Sequence, residues 1–132
     1  MAFRRAVFVP CYLPFLLYSL AMKGHAPDFS DVDSLEKAQA LYRTGKLERL
    51  FLFPLEFGGQ EVPQNILYVP PGIAAIKQQI DGTIAKMVSE GAVSSYAATP
   101  EYKGNSFVPS KIKIVTSHEQ KPGGFNPTIN IW

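Results

Sequence analysis

The pattern of apolar and polar positions changes character near residue 22. Ahead of that point, Arg4 and Arg5 precede Ala6–Met22, seventeen residues without a single charge. Beyond it, apolar residues recur at the spacings of helices and strands. Leu35, Ala38, Leu41 and Tyr42 repeat at helical spacing, Asp33 or Ser34 offers an oxygen to the free amides of a first turn, and Gly45 supplies a stop. Residues 47–55 read as a strand, and the run Leu50–Phe53 predicts burial on both faces. A second strand is expected over 65–69. Pro71 suits the first turn of a helix over about 71–90, closed by Gly91. Its stripe of Ile73, Ile76, Ile80, Ile84, Met87 and Val88 leaves Lys77, Gln78, Asp81 and Lys86 off the buried face. Strands are expected at 93–98, 107–116 and 128–132. Lys111–Val115 alternates, which gives one of them a wet face. Lys103–Asn105 and Lys121–Gly124 read as turns. The fold class is therefore α+β: a small antiparallel sheet with two helices, in the order α-β-β-α-β-β-β, as one domain over residues 23–132.

Residues 1–22 fit three readings: an N-terminal arm, packed or disordered; an export signal; or a translation start that really falls at Met22. A membrane-spanning helix wants about twenty apolar residues, so a shorter run carrying Pro10 and Pro14 predicts no stable span. Leu20–Met22 makes a poor cleavage site for a secretory signal. Starting at Met22 removes Arg4 and Arg5 from thirteen basic residues, leaving eleven against eleven acidic ones. That shorter chain reads as cytoplasmic, with export as the alternative.

Composition narrows the function classes. With 132 residues, 46% hydrophobic and 18% charged, the chain has what one folded domain needs. A net charge of +2 is too small for a nucleic-acid-binding surface, so no nucleic acid is expected as a partner. One cysteine, Cys11, allows no internal disulfide. With only Cys11, His25 and His118 as soft ligands, neither a structural zinc nor any other cofactor is expected. Abundant serines are not matched by a nucleophile elbow, and neither Gly58-Gly59 nor Gly123-Gly124 has phosphate-loop spacing.

Residues 51–70 resemble part of one known family. Phe57-Gly58-Gly59 followed by Asn65-Ile66-Leu67 resembles the Phe-Gly-Gly and Asn-Leu-Val-Pro motifs of the DNA/RNA non-specific endonucleases carried by bacterial toxins. Pro100–Pro109 is similar to the Tyr-x-Gly-x-Ser-x-x-Pro hairpin of the same family, so the resemblance spans about residues 50–116. It implies a ββα-metal core. It also implies a general-base histidine six residues before the Phe, where this chain has Phe51, and a metal-binding asparagine near the position of Ala74. Neither side chain can activate water or hold a metal. If the fold is shared, the chemistry is lost.

Phe57, Gly58, Gly59 and Asn65 are assigned to a structural loop, with Asn65 bonding its own loop backbone. Glu56 is either a perturbed carboxylate or an acceptor for the amides around Gly58 and Gly59, while Glu61 and the two histidines read as solvated. Tyr96, Tyr102 and Trp132 are candidate anchors for a protein partner; the competing reading puts such aromatics in the core, with Trp132 left partly exposed. The expected function is that of a non-catalytic bacterial interaction protein. The resemblance extends this to an immunity or accessory protein of a toxin system, whose partner is a toxin or another neighbouring gene product. The alternative is a metal-dependent nuclease or phosphodiesterase with a relocated site of Glu56, Glu61 and His118, and it requires those three side chains to converge.

Overall fold

Ser34 opens the first helix. Its Oγ accepts the amide of Lys37 at 3.1 Å, while Asp33 beside it pairs with the Lys37 ammonium at 2.8 Å. These contacts come from a computed structural model that describes residues 27–121 and 124–132. The expectations for residues 1–22, for His25 and for the middle of the Lys121–Gly124 turn lie outside those residues. Helix α1 (Leu35–Arg43) ends through Gly45, whose φ of +80° suits a residue without Cβ. Strands β1 (Glu48–Phe51) and β2 (Ile66–Val69) follow, then helix α2 (Ile73–Ser89). The chain closes with β3 (Ser95–Tyr102), β4 (Pro109–Ser117) and β5 (Thr128–Asn130). Among the described residues the architecture is α+β in the expected order.

The strands form two antiparallel sheets rather than one. β1 pairs with β2, and β4 lies between β3 and β5. The sheets share a core instead of a ladder: Leu50, Leu67 and Val69 from the first meet Ile112, Ile114 and Ile129 from the second around Ile84 of α2. A second cluster joins Val32, Ala38, Leu47, Tyr68 and Val108, with Phe29 and Trp132 packed against it. β2 separates the two, sending Leu67 and Val69 one way and Tyr68 the other. The strand buried on both faces is thus β2, not β1. In β1 only Leu50 is buried, because Glu48, Arg49 and Phe51 line open clefts.

β4 shows the expected alternation, with Ile112 and Ile114 buried and Lys113 and Val115 exposed. A register shift follows Glu101, and the hydroxyl of Ser110 donates to the Glu101 carbonyl at 3.1 Å across the irregularity. β3 runs to Tyr102, four residues past the expected end at 98, since Pro100 occupies an edge strand where a missing N–H is tolerated. Pro71 precedes α2 instead of sitting in its first turn. Gly72 is the N-cap, at a φ of +100°, and the Glu48 carboxylate of β1 accepts the amide of Ala74 at 3.2 Å. That carboxylate satisfies one free amide of the first turn and faces the positive end of the helix.

The helix stripe differs most. Lys77, Asp81 and Ile84 are the buried residues of α2, whereas Ile76 and Val88 are each 45% exposed. Positions 73, 77, 80, 81 and 84 fall within one arc of the helix, and 76, three residues after 73 and four before 80, lies just beyond the edge of that arc. Hydrophobicity and geometry disagree here, and geometry decides. Ile84 is fully buried where the two sheets and α2 meet. Ile84→Ala is expected to lower the unfolding free energy by about 2–5 kcal/mol, read from the shift of the urea midpoint with the folded-state circular dichroism unchanged.

Candidate functional site

The loop between β1 and β2 is shaped by its backbone. Pro54 starts a single 3-10 turn at Leu55–Phe57, and the amides of Phe57 and Gly59 both donate to the Pro54 carbonyl at 3.0 Å. Gly58 then takes a φ of +99° and donates to Leu55. A Cβ at Gly59 would collide with the Phe53 carbonyl oxygen, so both glycines of the pair are required, for different reasons. Asn65 closes the loop. Its Oδ1 accepts the Phe53 amide at 2.7 Å, and its Nδ2 donates to the carbonyls of Phe53 and Gln60, each at 2.9 Å. One side chain thereby satisfies three backbone groups on two sides of the loop. The amides of Gly58 and Gly59 go to backbone carbonyls, so Glu56 is not their acceptor. It is exposed at the rim of a cleft.

That cleft has a volume of about 380 Å³ and lies between β1, the 3-10 turn and α2. Phe51, Leu55 and Ala74 contribute apolar wall, and Lys77 and Asp81 are polar groups of its lining. The Lys77 ammonium pairs with Asp81 Oδ2 at 2.7 Å, one helical turn away, with side chains only 3% and 8% exposed. Tyr96 of β3 completes the group: its hydroxyl donates to Asp81 Oδ1 at 2.8 Å and accepts from Lys77 at 3.1 Å. The Tyr96 ring lies edge-on to Phe53 and Phe57, with centroids 5.5 and 5.3 Å away. Helix, loop and second sheet therefore meet at one tyrosine.

Burial sets the electrostatics. It pushes the Lys77 amine below its ordinary value of 10.5, opposed by the bond and the charge of Asp81. Burial first, then the bond to Asp81, pushes the Tyr96 phenol far above its ordinary value of 10.0. All the polar atoms of this group are satisfied. The arrangement is a closed ion pair rather than a poised acid and base.

The sequence-derived candidates are scattered. Glu61 is exposed in the β1–β2 loop, and His118 sits at the end of β4, where its Nδ1 accepts the amide of Gln120 at 3.0 Å. Among the described residues no three His, Cys, Asp or Glu side chains are placed to hold a metal ion, so Glu56, Glu61 and His118 do not converge. Tyr96 is half-buried and committed to Asp81. Trp132 is half-buried, with its Nε1 donating to the Val108 carbonyl at 3.0 Å and Lys103 lying 4.8 Å over its ring. Tyr102 remains exposed. Lys77 and Asp81 were missed; the signal available was their i, i+4 spacing of opposite charges on the geometric stripe of α2.

No known protein family matches the chain, and neither does any curated protein or solved structure. No helix among the described residues is long and apolar enough to cross a membrane.

Asp81→Ala strands a buried ammonium and is expected to cost about 3–5 kcal/mol of stability. Replacing Lys77 and Asp81 together by Met and Leu should cost far less; a double variant as unstable as the single one would contradict the paired arrangement. A pH experiment isolates Tyr96. Above pH 10.0 the unfolded chain releases the Tyr96 proton that the folded chain keeps, so this contribution to stability falls as pH rises. Lys77 acts in the opposite sense below 10.5, where the unfolded chain holds more protons than the folded one. In a tyrosinate absorbance titration, Tyr96→Phe should leave the folded-state curve unchanged and reduce the unfolded-state amplitude by one tyrosine.

Proposed function

We propose that this chain is a non-catalytic interaction protein, an immunity or accessory protein of a bacterial toxin system acting in the cytoplasm. The observation that carries the reading is what lines the cleft. Phe51 and Ala74 lie far apart in sequence, yet both wall the same cavity between β1 and α2. They are the positions to which the nuclease resemblance assigns the general-base histidine and the metal-binding asparagine. A phenyl ring and a methyl group offer no proton acceptor and no metal donor. Of the polar groups that line the cleft, Lys77 and Asp81 are bound to each other and to Tyr96, and Arg49, Glu56 and Gln78 complete the lining. A strand–strand–helix unit of this kind keeps a shape for recognition, while the two positions that the resemblance assigns to base and metal ligand hold neither.

The test uses the full chain. Co-expressed with the products of adjacent reading frames, it is expected to co-elute with one of them as a stable complex. Purified alone, it should leave DNA and RNA intact in the presence of magnesium or manganese. Cleavage that a chelator abolishes, or failure to bind any neighbouring product, overturns the reading.

A further inference from the structure

The described chain leaves an apolar surface around Leu35, Tyr102 and Phe107, which are 43%, 45% and 44% exposed. They line a groove of about 460 Å³ that reaches Ile66 and Pro100 and carries one charged lining residue, Arg49. Tyr102 and Phe107 also line a second hollow, at the Gly104–Ser106 turn. Three large apolar side chains nearly half exposed along one continuous depression need an occupant.

The path of the chain supplies one. The segment Pro27–Val32 is fixed against this same surface: the Ser106 hydroxyl donates to the Phe29 carbonyl at 2.7 Å, and the Phe107 amide donates to the Val32 carbonyl at 2.7 Å. Phe29 also meets Trp132 edge-on at 5.7 Å. Upstream, Lys23–Ala26 separates Pro27 from the uncharged run Ala6–Met22. Five residues from Met22 to Pro27 reach at most about 17 Å. A tether of that length confines Met22 to within about 17 Å of Pro27 and sets an effective concentration of order millimolar, which a second copy at ordinary concentrations does not match. An uncharged segment also suits a nearly uncharged groove.

We propose that Ala6–Met22 of the same chain covers the Leu35–Tyr102–Phe107 groove. The inference rests on the groove and the tether and is independent of the reading of the cleft.

Cys11 is the single cysteine of the chain and falls inside the segment, so it serves as the probe. A nitroxide on Cys11 of the full, isotope-labelled chain should broaden the amide signals of Leu35, Tyr102 and Phe107, and dilution by about tenfold should leave that broadening unchanged. No broadening there overturns the proposal. Broadening of the same signals between separately spin-labelled and isotope-labelled copies also overturns it, and assigns the groove to a second copy. As an independent readout, Tyr102→Ser and Phe107→Ser should each raise the rate at which a thiol reagent modifies Cys11 by about tenfold. Rates equal to that of the unaltered chain, in variants whose circular dichroism is native, overturn it as well. Two variants are used so that loss of folding in one leaves the other to decide.

Discussion

A lysine inside a small protein constrains everything near it. An unpaired ammonium there would cost several kcal/mol, so Lys77 needs both a counter-charge and a full set of acceptors. Asp81 supplies the charge from one turn along α2. Each Asp81 oxygen is then used, one by Lys77 and the other by the Tyr96 hydroxyl. Because Tyr96 belongs to β3, the bond fixes the distance between α2 and the three-stranded sheet. Its ring lies against Phe53 and Phe57, so the same residue also orients the β1–β2 loop. The helix, the sheet and the loop cannot shift independently without exposing or stranding a charge.

The loop is constrained from its other side by Asn65. Its amide group serves three backbone groups that no regular ladder reaches, and the Gly59 position admits no Cβ. The loop is therefore held by backbone bonds on one side and by aromatic contacts with Tyr96 on the other. Glu48, on the strand that precedes the loop, caps the helix that follows it. The start of the first strand is thereby bonded to the first turn of the helix that closes this strand–loop–strand–helix run.

Much of this architecture was legible in the chain. Gly45 and Gly91 mark helix ends, Ser34 marks a start, and the alternation of Lys111–Val115 gives the two faces of β4, because each of those signals is local. The element order followed from them. The division into two sheets was not legible, since nothing local distinguishes β2 pairing with β1 from β2 joining β4. Nor was the helix stripe, because Ile76 looks more like a core residue than Lys77 does. Only a tyrosine nineteen residues further on makes the lysine the better choice. The aromatic residues illustrate the same limit. Tyr96, Tyr102 and Trp132 look alike as candidate anchors, yet two of them are tied by their polar atoms to Asp81 and to the Val108 carbonyl.

The cleft between β1 and α2 is best understood from that network outward. A site that does acid–base work needs a group free to exchange a proton near the working pH. Here burial holds the phenol of Tyr96 in its protonated form, and the amine of Lys77 is held by Asp81 despite the burial that opposes its charge. Each proton is fixed by the packing that the fold requires. Freeing one for chemistry would strand the charge or the hydroxyl it now satisfies, and would loosen the join between α2 and β3. The two buried charges that line this cleft are for that reason also what joins α2 to the three-stranded sheet.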